Sequence, residues 1–150
     1  MKIRVMLIFL IVFLGGCVSY SAIGPGAMDY NGLKVQTGQA WNLVPKGPAI
    51  RPDSEVWTQD GILLDRIMII PGVASGESLF KPLSSEQALP VFKADMLPNE
   101  IEELTESSVV KLFGEGDAAV ETTNLRPHRF GEQNGFLFDL NVTVSDGPGY

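Results

Sequence analysis

The stretch Glu55-Val56-Trp57-Thr58-Gln59-Asp60-Gly61 decides the fold that the sequence predicts. Its first five residues favour a strand, and Asp60-Gly61 is typical of a two-residue hairpin turn, because both turn positions require positive φ. Ile62 to Ile70 is the predicted return strand. It is apolar on both faces apart from Asp65 and Arg66, so we expect a central strand covered on both sides.

Shorter signals precede this hairpin. Leu33 to Gln36 alternates briefly and predicts a first strand, and Trp41 to Val44 is expected to continue the sheet. The prolines and glycines between Pro45 and Pro52 then predict a surface loop.

One helix is predicted, from Pro98 to Phe113. Proline suits the first helical position because its missing N–H needs no partner there, and Gly114 follows as a left-handed cap would require. Lys111 near the end and acids in the first half complement the helix dipole. The apolar stripe comprises Ile101, Leu104, Val109, Leu112 and Phe113.

Strands are predicted again after the helix. Ala118 to Leu125 favours a strand, Arg126 to Phe130 a basic turn, and Phe136 to Val144 alternates as a half-buried strand. Asp146 to Tyr150 is typical of a turn leading into another strand, so we expect the protein to continue beyond Tyr150. The order of elements predicts an α+β fold in which one main helix packs on a face of a twisted antiparallel sheet.

The N-terminus carries the features of an export signal. Lys2 and Arg4 precede the apolar run Val5 to Leu14, which is about half the ~20 residues of a membrane-spanning helix. Leu14-Gly15-Gly16-Cys17 resembles the lipobox of bacterial lipoproteins. The resemblance implies that residues 1–16 are removed and that Cys17, the only cysteine, receives the acyl chains that hold the protein on the membrane.

The expected mature protein has a tether and one domain. Residues 17–30 are small and polar and predict a flexible tether, with an ordered edge segment as the alternative, and residues 31–150 form the single domain. Val18 stands where an aspartate would signal inner-membrane retention, so the resemblance favours the outer membrane, facing the periplasm.

Composition limits the classes of partner. Without Lys2 and Arg4, nine basic residues face 18 acidic ones, a formal net charge of −9. This charge argues against nucleic acid and against electrostatic docking on anionic lipid. With Cys17 acylated, no thiol remains for a disulfide.

A second resemblance rests on residues spread roughly from Trp41 to Phe136. They are Trp41-Asn42, Glu55-Val56-Trp57-Thr58, Asp60-Gly61, Leu64-Asp65, Gly72, Gly76, Phe92, Met96, Glu100, Leu104, Phe130-Gly131 and Gly135-Phe136. Together with the lipobox, they resemble a family of uncharacterised Proteobacterial lipoproteins. The resemblance implies a fold similar to the small α/β/α sandwich of the PsbP and Mog1 type. It brings no activity or ligand, and only Cys17 carries a role over.

The sequence offers few groups for chemistry. One histidine and no free cysteine make a zinc site unexpected, and no cofactor is predicted. Arg126, His128 and Arg129 could form an anion-binding site, or a solvated basic loop on an acidic protein. Asp65 could belong to a carboxylate pair with Asp60, but a strand-end or salt-bridge position explains it better.

Three functions remain open at this point. The favoured one is a non-catalytic, lipid-anchored envelope protein that binds another envelope protein through the sheet edge, the basic segment Arg126–Arg129 or the loop Val73–Pro90. The alternative is a small-ligand-binding module with a pocket between helix and sheet, lined by Trp57, Met68 and Phe138. An enzyme is the least supported, because no catalytic constellation is visible.

Overall fold

The computed structural model describes residues 20–30, 32–62, 64–114 and 116–144. Cys17, the leader and the last six residues lie outside these ranges, as do Asn31, Leu63 and Glu115. The elements in chain order are β1 (Ser21–Ile23), β2 (Gly26–Tyr30), β3 (Leu33–Thr37), β4 (Trp41–Leu43), β5 (Glu55–Thr58), β6 (Ile67–Ile69), α1 (Pro98–Phe113), β7 (Ala118–Phe130) and β8 (Gln133–Val144).

Four strands form the main sheet, in the antiparallel order β1-β4-β5-β6. Its centre is Trp57, which is fully buried, and its neighbours Val56 and Thr58 are buried too. The separate β2–β3 ribbon packs against this strand, since the ring centroids of Tyr30 and Trp57 lie 5.7 Å apart. Trp57 is therefore part of the core of the main sheet.

The hairpin predicted around Asp60-Gly61 exists, but its turn is longer than expected. Glu55–Thr58 pairs with Ile67–Ile69, so the connection runs from Gln59 to Arg66. The carboxylate of Asp65 accepts hydrogen bonds from the backbone N–H groups of Gln59 (2.9 Å) and Asp60 (2.8 Å), which closes a wide loop in place of a two-residue turn. The prediction that the return strand is central is also wrong, because β6 lies at the sheet edge and Ile67 is exposed.

Part of the predicted tether is ordered. Ser21–Ile23 pairs with β4, and Gly26–Tyr30 pairs with β3 through five residue pairs. The flexible-tether prediction is therefore wrong for these residues, and the alternative of an ordered edge segment is the one observed. The short alternation at Leu33–Thr37 did predict a strand, although it joins β2 in place of the main sheet.

The helix has the bounds that the sequence predicts. Pro98 occupies its first turn, and the N–H of Leu97 donates to Oε2 of Glu100 (2.6 Å), which supports a start with no side-chain cap from Leu97. Gly114 ends the helix at a φ of 104° while its N–H donates to the carbonyl of Val110 (3.1 Å). Leu104 and Val109 are buried as expected, whereas Phe113 is exposed.

The helix packs on β7 and, to a smaller extent, on β8, which form a two-stranded antiparallel sheet. The hydroxyl of Thr122 donates to Oε2 of Glu106 across this contact (3.3 Å). The fold is α+β with antiparallel pairing, as predicted. One continuous sheet was expected, however, and the described residues form three separate sheets.

Candidate functional site

The far end of the β7–β8 pair is an exposed arm. We call its residues Asn124–Phe130 and Gln133–Gly135 the ribbon tip. Every residue of Asn124–Phe130 is exposed, although all lie within one continuous strand. The two-residue loop Gly131-Glu132 closes the hairpin, and Gly131 has a φ of 59°. Glycine in the first position of such a loop matches a type II′ turn, whose twist suits the two strands.

Arg126–Phe130 is therefore not the basic turn that the sequence predicted. The segment continues β7 through Phe130, which pairs with Gln133. The alternation of bulky residues in β8 extends the pairing far enough to carry these residues into the strand. The prediction failed because Pro127 resembles a turn residue, whereas in this two-stranded sheet β7 has an outer edge where a missing N–H is tolerated.

A bulge between Thr123 and Arg126 lies at the start of the ribbon tip. Asn124 has a φ of 58° at this point, a left-handed conformation that asparagine tolerates better than most residues. Its Nδ2 donates to Oδ2 of Asp139 (2.7 Å), and its carbonyl accepts from a guanidinium nitrogen of Arg126 (2.9 Å). The bulge is thus held by side chains of both strands.

The three predicted site residues do not converge on one point. Side chains alternate along a strand, so Arg126 and His128 share a face while Arg129 points to the other. Arg126 lies 3.9 Å from the carboxylate of Asp139, with both side chains about half exposed, and such exposed pairs contribute little. Arg129 donates from Nε to the carbonyl of Gly131 (3.1 Å). The alternation therefore separates Arg129 from the other two side chains.

An aromatic contact lies on the face that carries His128. The His128 and Phe130 rings meet edge to face at 4.6 Å. The Phe130 ring also lies over Gly135, where a Cβ would approach it to 3.0 Å. Phe130 remains about half exposed at 51%. The ribbon tip therefore presents Arg126 on the same face as an exposed aromatic ring.

A second candidate lies in the long connection from β6 to α1. Arg51, on the loop before β5, donates to both carboxylate oxygens of Asp53 (3.0 Å each), to Glu77 Oε2 (2.9 Å) and to the carbonyl of Ser78 (2.8 Å). We call Arg51, Asp53, Glu77 and Ser78 the Arg51 clamp. The hydrogen bond to the Asp53 carboxylate has the largest effect on the pKa of Arg51 and raises it, although burial acts in the opposite direction. Arg51 in turn lowers the pKa of Asp53.

The Arg51 clamp was missed from the sequence. Arg51-Pro52-Asp53 is a local signal for an ion pair within a turn, but Glu77 follows 26 residues later and nothing local connects them. The hydrogen bond from the backbone N–H of Ala74 has the largest effect on the pKa of Glu77 and lowers it, and the hydrogen bond from Arg51 has the second largest effect in the same direction. An open groove of about 480 Å³ adjoins the clamp, with Phe80, Lys81 and Val91 among its lining residues.

Asp65 is explained by its loop. Its carboxylate accepts from two backbone N–H groups and from Oγ1 of Thr58. The backbone N–H of Asp60 is the largest influence that lowers the pKa of Asp65, and the backbone N–H of Gln59 and the hydroxyl of Thr58 add to it. A carboxylate stabilised in its charged form beside the start of β6 matches the predicted strand-end position, and Asp60 forms no carboxylate pair with it.

The pocket expected between Trp57, Met68 and Phe138 does not form. Trp57 and Met68 lie in the main sheet, where Trp57 is fully buried, whereas Phe138 lies in β8 and stacks with Phe136 at 6.2 Å. The helix covers β7 and β8, not the main sheet. Within the described ranges no group of three or more His, Cys, Asp or Glu side chains could hold a metal ion.

Among residues 20–144, apart from the three single gaps, no helix is long and apolar enough to cross a membrane. No protein-family model matches the chain, and no curated protein or solved structure matches it. The resemblance to the lipoprotein family and to the PsbP type of sandwich therefore stays a prediction.

Proposed function

We propose that this protein is a non-catalytic lipoprotein of the bacterial cell envelope that binds another envelope protein through its ribbon tip. Acyl chains on Cys17 hold it on the outer membrane, facing the periplasm. The support for the anchor is the basic start, the apolar run and Leu14-Gly15-Gly16-Cys17. Several acyl chains bind a bilayer far more firmly than one.

One observation carries the binding surface. The distal half of β7 is exposed along its whole length. By strand alternation, Arg126 shares a face with Phe130, which is 51% exposed, while Arg129 lies on the other face. Arginine and aromatic side chains are enriched where protein interfaces concentrate their binding energy. A rigid ribbon presents such groups without the entropy cost of ordering a loop.

The small-ligand alternative has less support. Its expected lining residues lie in different sheets, and the grooves lined by described residues are open to solvent. Ligand pockets usually bury most of a small molecule. The formal net charge of −7 for the whole chain also disfavours nucleic acid as the partner.

The test is photo-crosslinking in intact cells that express the full-length gene. A photoreactive phenylalanine analogue replaces Phe130 in one strain, and the control strain carries it at Thr143, which is exposed on the opposite end of the same ribbon. We expect one dominant envelope protein attached at position 130 and little at 143. Equal labelling at both positions, or none from correctly anchored protein, would contradict the proposal.

The anchor has its own test. Cys17→Ser should abolish incorporation of labelled palmitate and release the protein from the membrane fraction. A variant that keeps both the label and the membrane association would show that Cys17 is not the attachment site.

A further inference from the structure

The connection between β6 and α1 is long but ordered. Residues 70–97 contain no helix or strand, and irregular segments of this length in compact domains are usually either functional or disordered. This one is held by backbone hydrogen bonds. The N–H of Gly76 donates to the carbonyl of Phe92, the N–H of Phe92 donates to the carbonyl of Glu77 (2.8 Å each), and Lys81 donates to Ala49 (2.9 Å).

This connection is fastened to the rest of the protein at two points. The Arg51 clamp fixes Glu77 and Ser78 against the loop before β5, with the Arg51 side chain only 13% exposed. Further along, Nε2 of Gln87 donates to the carbonyl of Lys111 (2.6 Å). The groove beside the Arg51 clamp is therefore lined by a connection that these contacts hold in place, which lowers the entropy cost of binding.

The groove is mainly apolar and open. It has a volume of about 480 Å³, within the usual size range of ligand sites. Its apolar lining is supplied by Pro52, Phe80, Pro82, Leu89 and Val91. An open trough of this kind accepts side chains of an extended chain that passes across it, whereas an enclosed cavity would suit a small molecule.

The charged side chains at the groove differ in their ion pairing. Arg51 and Glu77 both line the groove, and Arg51 pairs with Glu77 and also with Asp53. Lys81 is exposed at the groove and forms no ion pair within the part of the chain that the structure describes. Because Lys81 is exposed beside apolar walls, it is free to pair with a carboxylate that lies next to an apolar group.

We propose that this groove binds an extended peptide segment of a partner protein, in which an apolar side chain fills the trough and a neighbouring Asp or Glu pairs with Lys81. The inference goes beyond the proposed function, because it concerns another surface and specifies the chemistry of the ligand. It needs no contact at the ribbon tip.

The experiment uses the full-length lipoprotein in nanodiscs of neutral phospholipid and three fluorescent decapeptides with Gly-Ser flanks. Their central pairs are Leu-Asp, Leu-Lys and Ser-Asp. We expect Leu-Asp to bind at least about threefold more tightly than either of the others, because Leu-Lys loses the ion pair with Lys81 and Ser-Asp loses the apolar contact in the trough. Lys81→Glu should reverse the preference to Leu-Lys. Lys34→Glu, at an exposed lysine of β3, is the matched control and should leave the order unchanged.

Three results would overturn the inference. One is equal binding of all three peptides or of none of them, another is an unchanged order in Lys81→Glu, and the third is a reversed order in Lys34→Glu. Circular dichroism of each variant checks that it folds. Neither failure nor success here affects the crosslinking at Phe130, so the two proposals are tested separately.

Discussion

Oγ1 of Thr58, at the end of β5, donates a hydrogen bond to the carboxylate of Asp65 across the hairpin loop, at 2.9 Å. The same hydroxyl accepts from the N–H of Gly61 (2.9 Å), and Thr58 is 2% exposed. This pair joins the two ends of a loop that backbone pairing alone does not close. The loop between β5 and β6 thus depends on two side chains more than on its turn residues.

Removing either partner should destabilise the fold. Thr58→Val keeps the shape but leaves the N–H of Gly61 without its acceptor, at a cost of about 1–3 kcal/mol. Asp65→Ala removes the acceptor for the N–H groups of Gln59 and Asp60. Since both changes open the same loop, the double variant should cost less than the sum of the single ones in urea unfolding. Additive costs would show that the pair does not act as a unit.

Stability should fall in acid because three carboxyl groups have lowered pKa values in the folded protein: Asp53, Asp65 and Glu77. A group whose folded pKa is depressed contributes stability above its unfolded value, and loses it as the pH falls through the folded value. We therefore expect the free energy of unfolding to be flat near neutrality and to decline below about pH 4.

Asp65→Asn tests this origin of the acid sensitivity. It should flatten the decline below about pH 4, measured by urea unfolding across the range. Asp95→Asn is the control, because the Asp95 carboxylate is exposed and accepts no hydrogen bond from the described residues. Equal flattening by both substitutions would argue against the loop as the source.

The Arg51 clamp predicts a local effect on the connection before the helix. Arg51→Lys keeps the charge but loses the planar fork that reaches Asp53, Glu77 and Ser78 together. We expect a loss of about 1–2 kcal/mol, limited by the solvent exposure of both carboxylates. Faster amide hydrogen exchange at Gly76, Phe92 and Lys81 should accompany it.

A lysine elsewhere gives the comparison. Arg129→Lys replaces an exposed arginine of the ribbon tip and should cause no measurable change in amide hydrogen exchange in residues 70–97. If Arg51→Lys left exchange at Phe92 unchanged, the clamp would not be what holds this connection.

How far the sequence could predict this structure depends on the distance over which each signal acts. Helix α1 was predicted with its bounds because Pro98, Gly114 and the apolar period are all local. The β5–β6 hairpin was predicted, but its turn was not, since Asp65 acts on Gln59 from six residues away. Glu77 meets Arg51 only through the folded chain, and no sequence pattern indicates it.

The candidate site divides in the same way. Arg126, His128 and Arg129 were picked out correctly as exposed, but as a turn, since Pro127 outweighed the pairing partners supplied by β8. The loop Val73–Pro90 was named as a surface without any indication of its groove. Pairing and long-range hydrogen bonds are properties of two segments at once, so one segment read alone cannot reveal them.

The bulge before the ribbon tip gives the last prediction. Asn124 adopts a φ of 58°, and a β-branched side chain there would cost about 1–2 kcal/mol. Asn124→Val should therefore lower Tm and shift the cross-strand contacts that join Thr123 to Asp139 and Arg126 to Leu137, measured by NMR.

Asn124→Gly removes the strain but also the hydrogen bond to Asp139, so its cost should be smaller. Asn141→Val is the matched control, since Asn141 is exposed in β8, lacks a positive φ and should tolerate valine within about 0.5 kcal/mol. Similar losses in the Asn124 and Asn141 valine variants would show that the left-handed conformation of Asn124 is not the source of the lost stability.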